Sequence, residues 1–282
     1  MNQAEASSLG AFAAQLRAWR LHMGWTQEQA GSKLGYSASM ISGVETMDKK
    51  NVTAGFARAC DKGFATPGFD DRSDPASPGT FMILQQLVAR EAWPSYYAPV
   101  VGQETSAIRI HEWEMRAVPG LLQTEDYARA VIRAGKPRAS TAAVDDTVSN
   151  RMARQAAIFH RDDRPMLWHV LHEGVLRHLI GSAEVMGEQL EHLAELSQEP
   201  GIVVQVLPFA AGDHPGTDGP ISVYEFNGAP SVAYTECMGG GRIVESPEEV
   251  AEMIIVLNMI RAAALPPRES TRLILKIRSE IA

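Results

Sequence analysis

Cysteine is nearly absent. Cys60 and Cys237 are the only two in 282 residues, too few and too far apart for a disulfide framework or a zinc-ligand pattern. A reducing cytoplasm is the expected location. Long apolar runs are missing as well. The densest stretch, residues 253–260, is broken by Asn258 and falls well short of the roughly 18 residues a membrane span needs. The opening residues MNQAEASS lack the basic-then-apolar order of a signal peptide. Internal repeats and low-complexity tracts are not seen.

Catalytic signatures are scarce too. The chain has no GxSxG elbow and no cysteine in a reactive context. His169 and His172 lie in WHVLHEG, which is not HExxH. Three residues apart on a strand, they would point to opposite faces. Residues 239–242, GGGR, lack the strand and helix that flank a phosphate loop and read as a flexible turn. Asp213 and His214 sit among Gly and Pro and are expected to shape a turn. The chain is therefore read as a non-enzyme, with no cofactor and no metal site.

What is present is an ordinary globular composition, 45% hydrophobic and 21% charged, enough for a real core. The net charge of −8 is unevenly spread. Residues 1–66 hold seven Lys/Arg and five Asp/Glu, a balance of +2; the rest hold nineteen and twenty-nine, a balance of −10. Only the N-terminal part suits a phosphate backbone; the acidic body repels one.

Residues 27–46, QEQAGSKLGYSASMISGVET, have helix-turn-helix spacing. Gly31 supplies a small residue at the helix crossing, and Gly35 can take the positive φ of the sharp turn. Ser37 caps the second helix, whose buried face carries Ile41 and Val44. Upstream, Leu9, Phe12, Ala13 and Leu16 recur at helical spacing. Downstream, Thr53 can cap a further helix with Phe56 and Ala57. Such a unit usually lays its second helix in the DNA major groove. A helical protein-binding module is the competing reading of residues 9–64.

The chain divides into a helix-turn-helix domain (1–65), a Pro/Gly linker (66–79) and a C-terminal domain (80–282). Helices are expected up to Trp93 and over 104–116, 124–134 and 146–160, then over 173–180 and 182–197. Strands are expected at 166–171, 202–207, 221–226 and 232–236, the last two joined by Asn227-Gly228, a hairpin signal. Ser246, Pro247 and Glu249 open a helix to about residue 264 with a cap, a first-turn proline and a capping box. It is apolar nearly all round, so it is expected to be buried on all sides or to complete an interface. A final helix carries Leu273, Ile274, Ile277 and Ile281. The fold class is α+β: an all-α, phage-repressor-like first domain, then helices around a small, mostly antiparallel sheet.

The first 65 residues resemble the helix-turn-helix of phage repressors and of the xenobiotic-response-element type. VPGLLQTEDYARAVI (118–132), RMARQAAIF (151–159), HEGVLRHLIG (172–181), QVLPFAAGDHPGTDGP (205–220) and VAYTEC (232–237) resemble one family, the WhiJ-like, antitoxin-like transcriptional regulators of actinobacteria. The resemblance runs from about residue 9 to 265. It implies a regulator that binds double-stranded DNA and pairs with a small acidic partner protein. It also implies residue roles. Gln27 would meet a phosphate through its side chain and backbone N–H, at a helix end that favours anions. Arg20 and Glu45 would form a structural ion pair. Ala38, Ser39, Met40 and Gly43 would face base edges, with Ser37, Ser42, Lys49 and Lys50 completing the contact set. Strong base readers are Arg, Lys, Asn and Gln, and this helix has none, so direct readout is expected to be modest.

In the second domain, Gln123, Tyr127, Arg151 and Glu173 admit two readings: structural pairing, or a pocket for a polar or anionic effector. DNA readers of this class bind two half-sites, so a homodimer is expected. The second domain is its expected source, because the first has no spare apolar face.

Overall fold

Each helix in the first part of the chain begins on a side-chain oxygen. In the computed structural model, which describes residues 7–49, 52–67, 79–91, 97–238 and 240–281, α1 (Ser8–His22), α2 (Gln27–Leu34), α3 (Ala38–Glu45) and α4 (Ala54–Phe64) are capped by Ser7, Thr26, Ser37 and Thr53. A hydroxyl cap contributes about 1 kcal/mol over alanine. α5 (Thr80–Glu91) is held from a distance. The buried Asp61 carboxylate accepts the N–H groups of Phe81 (2.9 Å) and Met82 (2.8 Å), and Thr66 also donates to it.

These helices share one core built on Phe12, Leu16, Ala30, Leu34, Ile41, Val44, Phe56, Phe64 and Phe81. The chain divides into two compact units, Met1–Ala98 and Pro99–Ala282, so α5 belongs to the first. A domain boundary at residue 80, expected from composition, puts this helix in the second domain instead. Composition could not show that Phe81, with no exposed surface, packs on Phe12 with ring centroids 5.1 Å apart. Most of the expected linker, residues 68–78, lies outside the described residues, as do Trp93 and Pro94.

In the second unit, α6 (Ala98–Ser106) leads into β1 (Arg109–Glu114). A short turn at Gly120–Leu122, then α7 (Glu125–Gly135) and α8 (Thr141–Phe159), connect to β2 (Met166–His172). α9 (Glu173–Arg177) and α10 (Ala183–Leu196) lead to β3 (Ile202–Leu207). β4 (Ile221–Glu225), β5 (Val232–Cys237) and β6 (Gly240–Val244) precede α11 (Pro247–Ala263) and α12 (Pro267–Ile281). The six strands form one sheet in the order β3-β2-β1-β4-β5-β6. β1, β2 and β3 run parallel, and the remaining neighbours are antiparallel. The α+β class stands, with a sheet larger and more mixed than the sequence suggested.

Two differences explain the change. Residues 104–116, expected as helix, hold the end of α6 and then β1 at the centre of the sheet. There Ile110 and Trp113 are buried on opposite faces, so no period-2 alternation marks the strand. Residues 240–242, expected in a flexible turn, open β6; Gly239 lies outside the described residues. A methyl group at Gly241 would meet the Tyr234 ring, so a larger residue here would have to displace that side chain.

α11 packs Val250, Leu257 and Ile260 on Trp113, Val170, Val223 and Ala233. Ile255 and Met259 on its other side are 51% and 55% exposed, so it is not buried all round. The α11–α12 connection closes the β3 edge: Leu265 N–H donates to the Val206 carbonyl and Ser270 Oγ accepts the Val206 N–H, both at 2.9 Å, which covers groups an open edge would present. α5, which lies beyond the 1–65 stretch expected to have no spare apolar face, brings exposed apolar surface to the first unit at Ile83 (46% exposed) and Leu87 (41%). No single helix among the described residues is long and apolar enough to cross a membrane; α11 and α12 reach that length only together, bent by 69°.

Candidate nucleic-acid interface

The α2–α3 crossing is set by glycine. A methyl group at Gly31 would lie 2.7 Å from the Tyr36 carbonyl oxygen and 3.0 Å from the Ala38 nitrogen, both fixed backbone atoms. Gly35 closes α2 at φ +76°, a conformation glycine adopts without steric cost. Thr26 and Gln29 form a reciprocal capping box at the α2 start.

One carboxylate ties three helices together. Glu45, at the end of α3, receives Arg20 Nε at 2.6 Å and Arg20 Nη2 at 2.9 Å. Gln27 Nε2, at the start of α2, adds a third bond at 2.8 Å. Arg20 also donates Nη1 to the Trp25 carbonyl at 3.0 Å. The side chains of Arg20 and Glu45 are 11% and 5% exposed. Burial alone would raise the Glu45 pKa, but the hydrogen bonds from Arg20 and Gln27 and the nearby charges of Arg20 and Arg17 outweigh it and hold it below the ordinary value. The Gln27 side chain is thereby turned inward. Its Nε2 is committed to Glu45, and its backbone N–H stands at the first position of α2, a helix end that favours anions.

On α3, Ser37 uses its hydroxyl to accept the Met40 N–H at 3.2 Å. Ser39 is exposed, Ala38, Ser42 and Gly43 are half-buried, and Met40 is half-buried against the core. Past α3 the chain turns back through Met47 at φ 62°. Lys49 N–H then donates to the Gly43 carbonyl at 2.8 Å, and the Lys49 stem lies across Gly43, where a methyl group would come within 2.8 Å of Cγ. The stem fills the space a side chain would take beside α3. Lys50 lies outside the described residues. Arg17 is exposed and near enough to act on Glu45; its place seven residues after Gly10 on α1 gave no sequence cue.

In the second unit, Gln123, Tyr127 and Arg151 come together, but around a backbone segment. Gln123 Nε2 donates to the Val118 carbonyl (2.6 Å), Tyr127 Oη accepts the Val118 N–H (3.2 Å), and Arg151 Nη1 donates to Gln123 Oε1 (2.6 Å). Gln155 donates to the Gly120 and Gln123 carbonyls, each at 2.8 Å. Gln189 pairs with Thr124 N–H and the Leu122 carbonyl, also at 2.8 Å. These side chains satisfy the irregular 118–124 backbone. Glu173 is elsewhere, accepting Arg177 Nε (2.7 Å) and the Phe209 N–H (2.8 Å). Its partners are thus distinct from those of the other three. His169 is buried with Nδ1 3.1 Å from Glu112, whereas His172 caps α9 by accepting the Gly174 N–H; the two do not converge. His214 accepts the Gly216 N–H and so shapes its turn. Cys60 is buried and Cys237 exposed, both as free thiols.

Comparison with known families adds two matches. A family model described as a helix-turn-helix domain covers residues 11–72. A second, described as a domain of unknown function (DUF5753), covers residues 97–276. No curated protein and no solved structure matches the chain. The helix-turn-helix domain suggests DNA binding, in keeping with a regulator.

Proposed function

The chain belongs to the DUF5753 family, and from that premise we propose that it is a dimeric, sequence-specific transcriptional regulator acting in the cytoplasm without catalysis. The observation that carries this reading is the Arg20–Glu45–Gln27 lock. It fixes α3 against α1 and α2 with Ser39 facing outward and Lys49 alongside, as a groove-reading helix requires. The N-terminal excess of positive charge agrees with it. Its resemblance to the WhiJ-like, antitoxin-like regulators supports control through the second unit by a small acidic partner protein or an effector. The exposed Ile255 and Met259 on α11 supply an apolar surface for a second copy. Lacking strong base donors on α3, the protein draws part of its specificity from DNA shape and half-site spacing.

A second reading is favoured by that same bare helix: an antitoxin-like interaction module that sequesters a small partner, with weak DNA binding. Selection of source-genome fragments on the purified protein, at near-physiological salt, separates the two. Enrichment of a few promoters sharing an inverted repeat, with half-site centres one helical turn or a multiple apart, supports the regulator. Uniform, salt-sensitive retention supports the interaction module.

A further inference from the structure

On the sheet face covered by α11, a cleft of about 350 Å3 opens where β1 and β2 start and β4 ends. That volume lies at the small end of ligand pockets, about 300–1,000 Å3. Part of its polar lining is already matched. Glu225 takes Arg109 Nη1 at 2.8 Å on one oxygen and His111 Nε2 at 2.7 Å on the other. Burial, and then the charge of Arg261, press the His111 pKa down against the pull of Glu225, which favours the neutral ring.

Arg261 is different. Its guanidinium lies over the Trp168 ring, 4.6 Å from the centroid. Nη1 donates to Asn258 Oδ1 at 3.1 Å, and Nε is buried without a partner. Among the described residues no carboxylate comes within ion-pair distance of it, and burial lowers its pKa. The walls therefore hold two guanidiniums against one carboxylate whose oxygens are both engaged. A cation held in this way gains most from an anion that enters the cleft with it. Beside it, Met166, Trp168 and Ile254 give the cleft an apolar side.

We propose that this cleft binds a small organic acid, with its carboxylate on Arg261 beside the Asn258 amide and its apolar body against Trp168, Met166 and Ile254. The site is separate from Gln123, Tyr127, Arg151 and Glu173, whose polar atoms are committed elsewhere. The inference rests on the reading above only in taking the acid as the signal received by the second unit.

The test is calorimetric titration of the full chain, without DNA, with benzoate, phenylacetate and hexanoate, each beside its amide, and with inorganic phosphate. At least one acid is expected to bind once per chain and about tenfold more tightly than its amide. Arg261→Gln removes that difference, and Ile254→Trp, which fills the cleft without changing its charge, blocks the acid. The proposal is overturned if no acid binds, if acid and amide bind alike, if phosphate alone binds as tightly, or if Arg261→Gln binds as the native chain does. Should Arg261→Gln fail to fold, the acid-against-amide comparison and Ile254→Trp decide. Because DNA is absent, failure here leaves the DNA-binding reading standing.

Discussion

Glu45 sits at the end of an eight-residue helix, yet its carboxylate is where α1, α2 and α3 are joined. Glu45→Gln leaves Arg20 with little exposed surface and no counter-charge. The expected loss is about 2 kcal/mol, the scale of hydrogen bonds to charged groups, read from denaturant unfolding of the first unit's signal. Because the Glu45 pKa is lowered on folding from an ordinary 4.5, its contribution is present above pH 4.5 and is lost as pH falls through the folded value. In Glu45→Gln that acid-side slope should flatten; an unchanged slope would remove Glu45 from the account. Lys49 belongs to the same scale. As a phosphate-contacting cation, its change to Ala should lower the salt dependence of DNA binding by about one counter-ion and weaken all sequences alike. At this scale chemistry was only partly legible. The residue types Arg20, Gln27 and Glu45 stand in the sequence, but that Gln27 turns inward depends on how far its amide reaches across to α3. That Arg261 lacks a carboxylate partner was invisible, since this is a property of what the fold places around it.

At the scale of elements, Gly31 is the most constrained position, because a side chain there meets backbone rather than a movable neighbour. Gly31→Ala should open the α2–α3 crossing, cost about 1–3 kcal/mol as overpacking does, and abolish specific DNA binding at temperatures where the chain is still folded. Retained binding with native affinity would mean that α2 and α3 do not act as a rigid pair. In the first unit α1 to α4 were readable because each begins on its own Ser or Thr cap and shows an amphipathic face. The second unit's central strand was not. β1 carries Glu112 and His111 between Ile110 and Trp113, a mixture that suits a helix in isolation; its strand identity comes from pairing with β2 and β4. The misread strand hid the parallel half of the sheet. α11 shows the converse error: an apolar run all round suggested full burial, but packing on one sheet face buries only Val250, Leu257 and Ile260 fully, with Met253, Ile254 and Val256 partly buried beside them.

For the whole molecule, association is the open prediction of the account. The paired change Ile255→Lys and Met259→Lys is expected to yield monomers by sedimentation and to weaken binding to a two-half-site DNA, while Ile83→Lys with Leu87→Lys leaves association intact. The reverse pattern would move the dimer contact to α5. The division of charge along the chain agrees with the helix-turn-helix match at residues 11–72, but the split at residue 98 rather than 65 needed the Asp61 and Phe81 contacts, which span about twenty residues.

The central claim is that α3 reads base edges. Selection from randomised duplexes at near-physiological salt, run side by side on the native chain and on Ser39→Arg, tests it most directly. A shared inverted repeat is expected for both, with the variant gaining a guanine at one position of each half-site, where an arginine can pair with its major-groove edge. An identical motif for both proteins, or no motif for either, would contradict it.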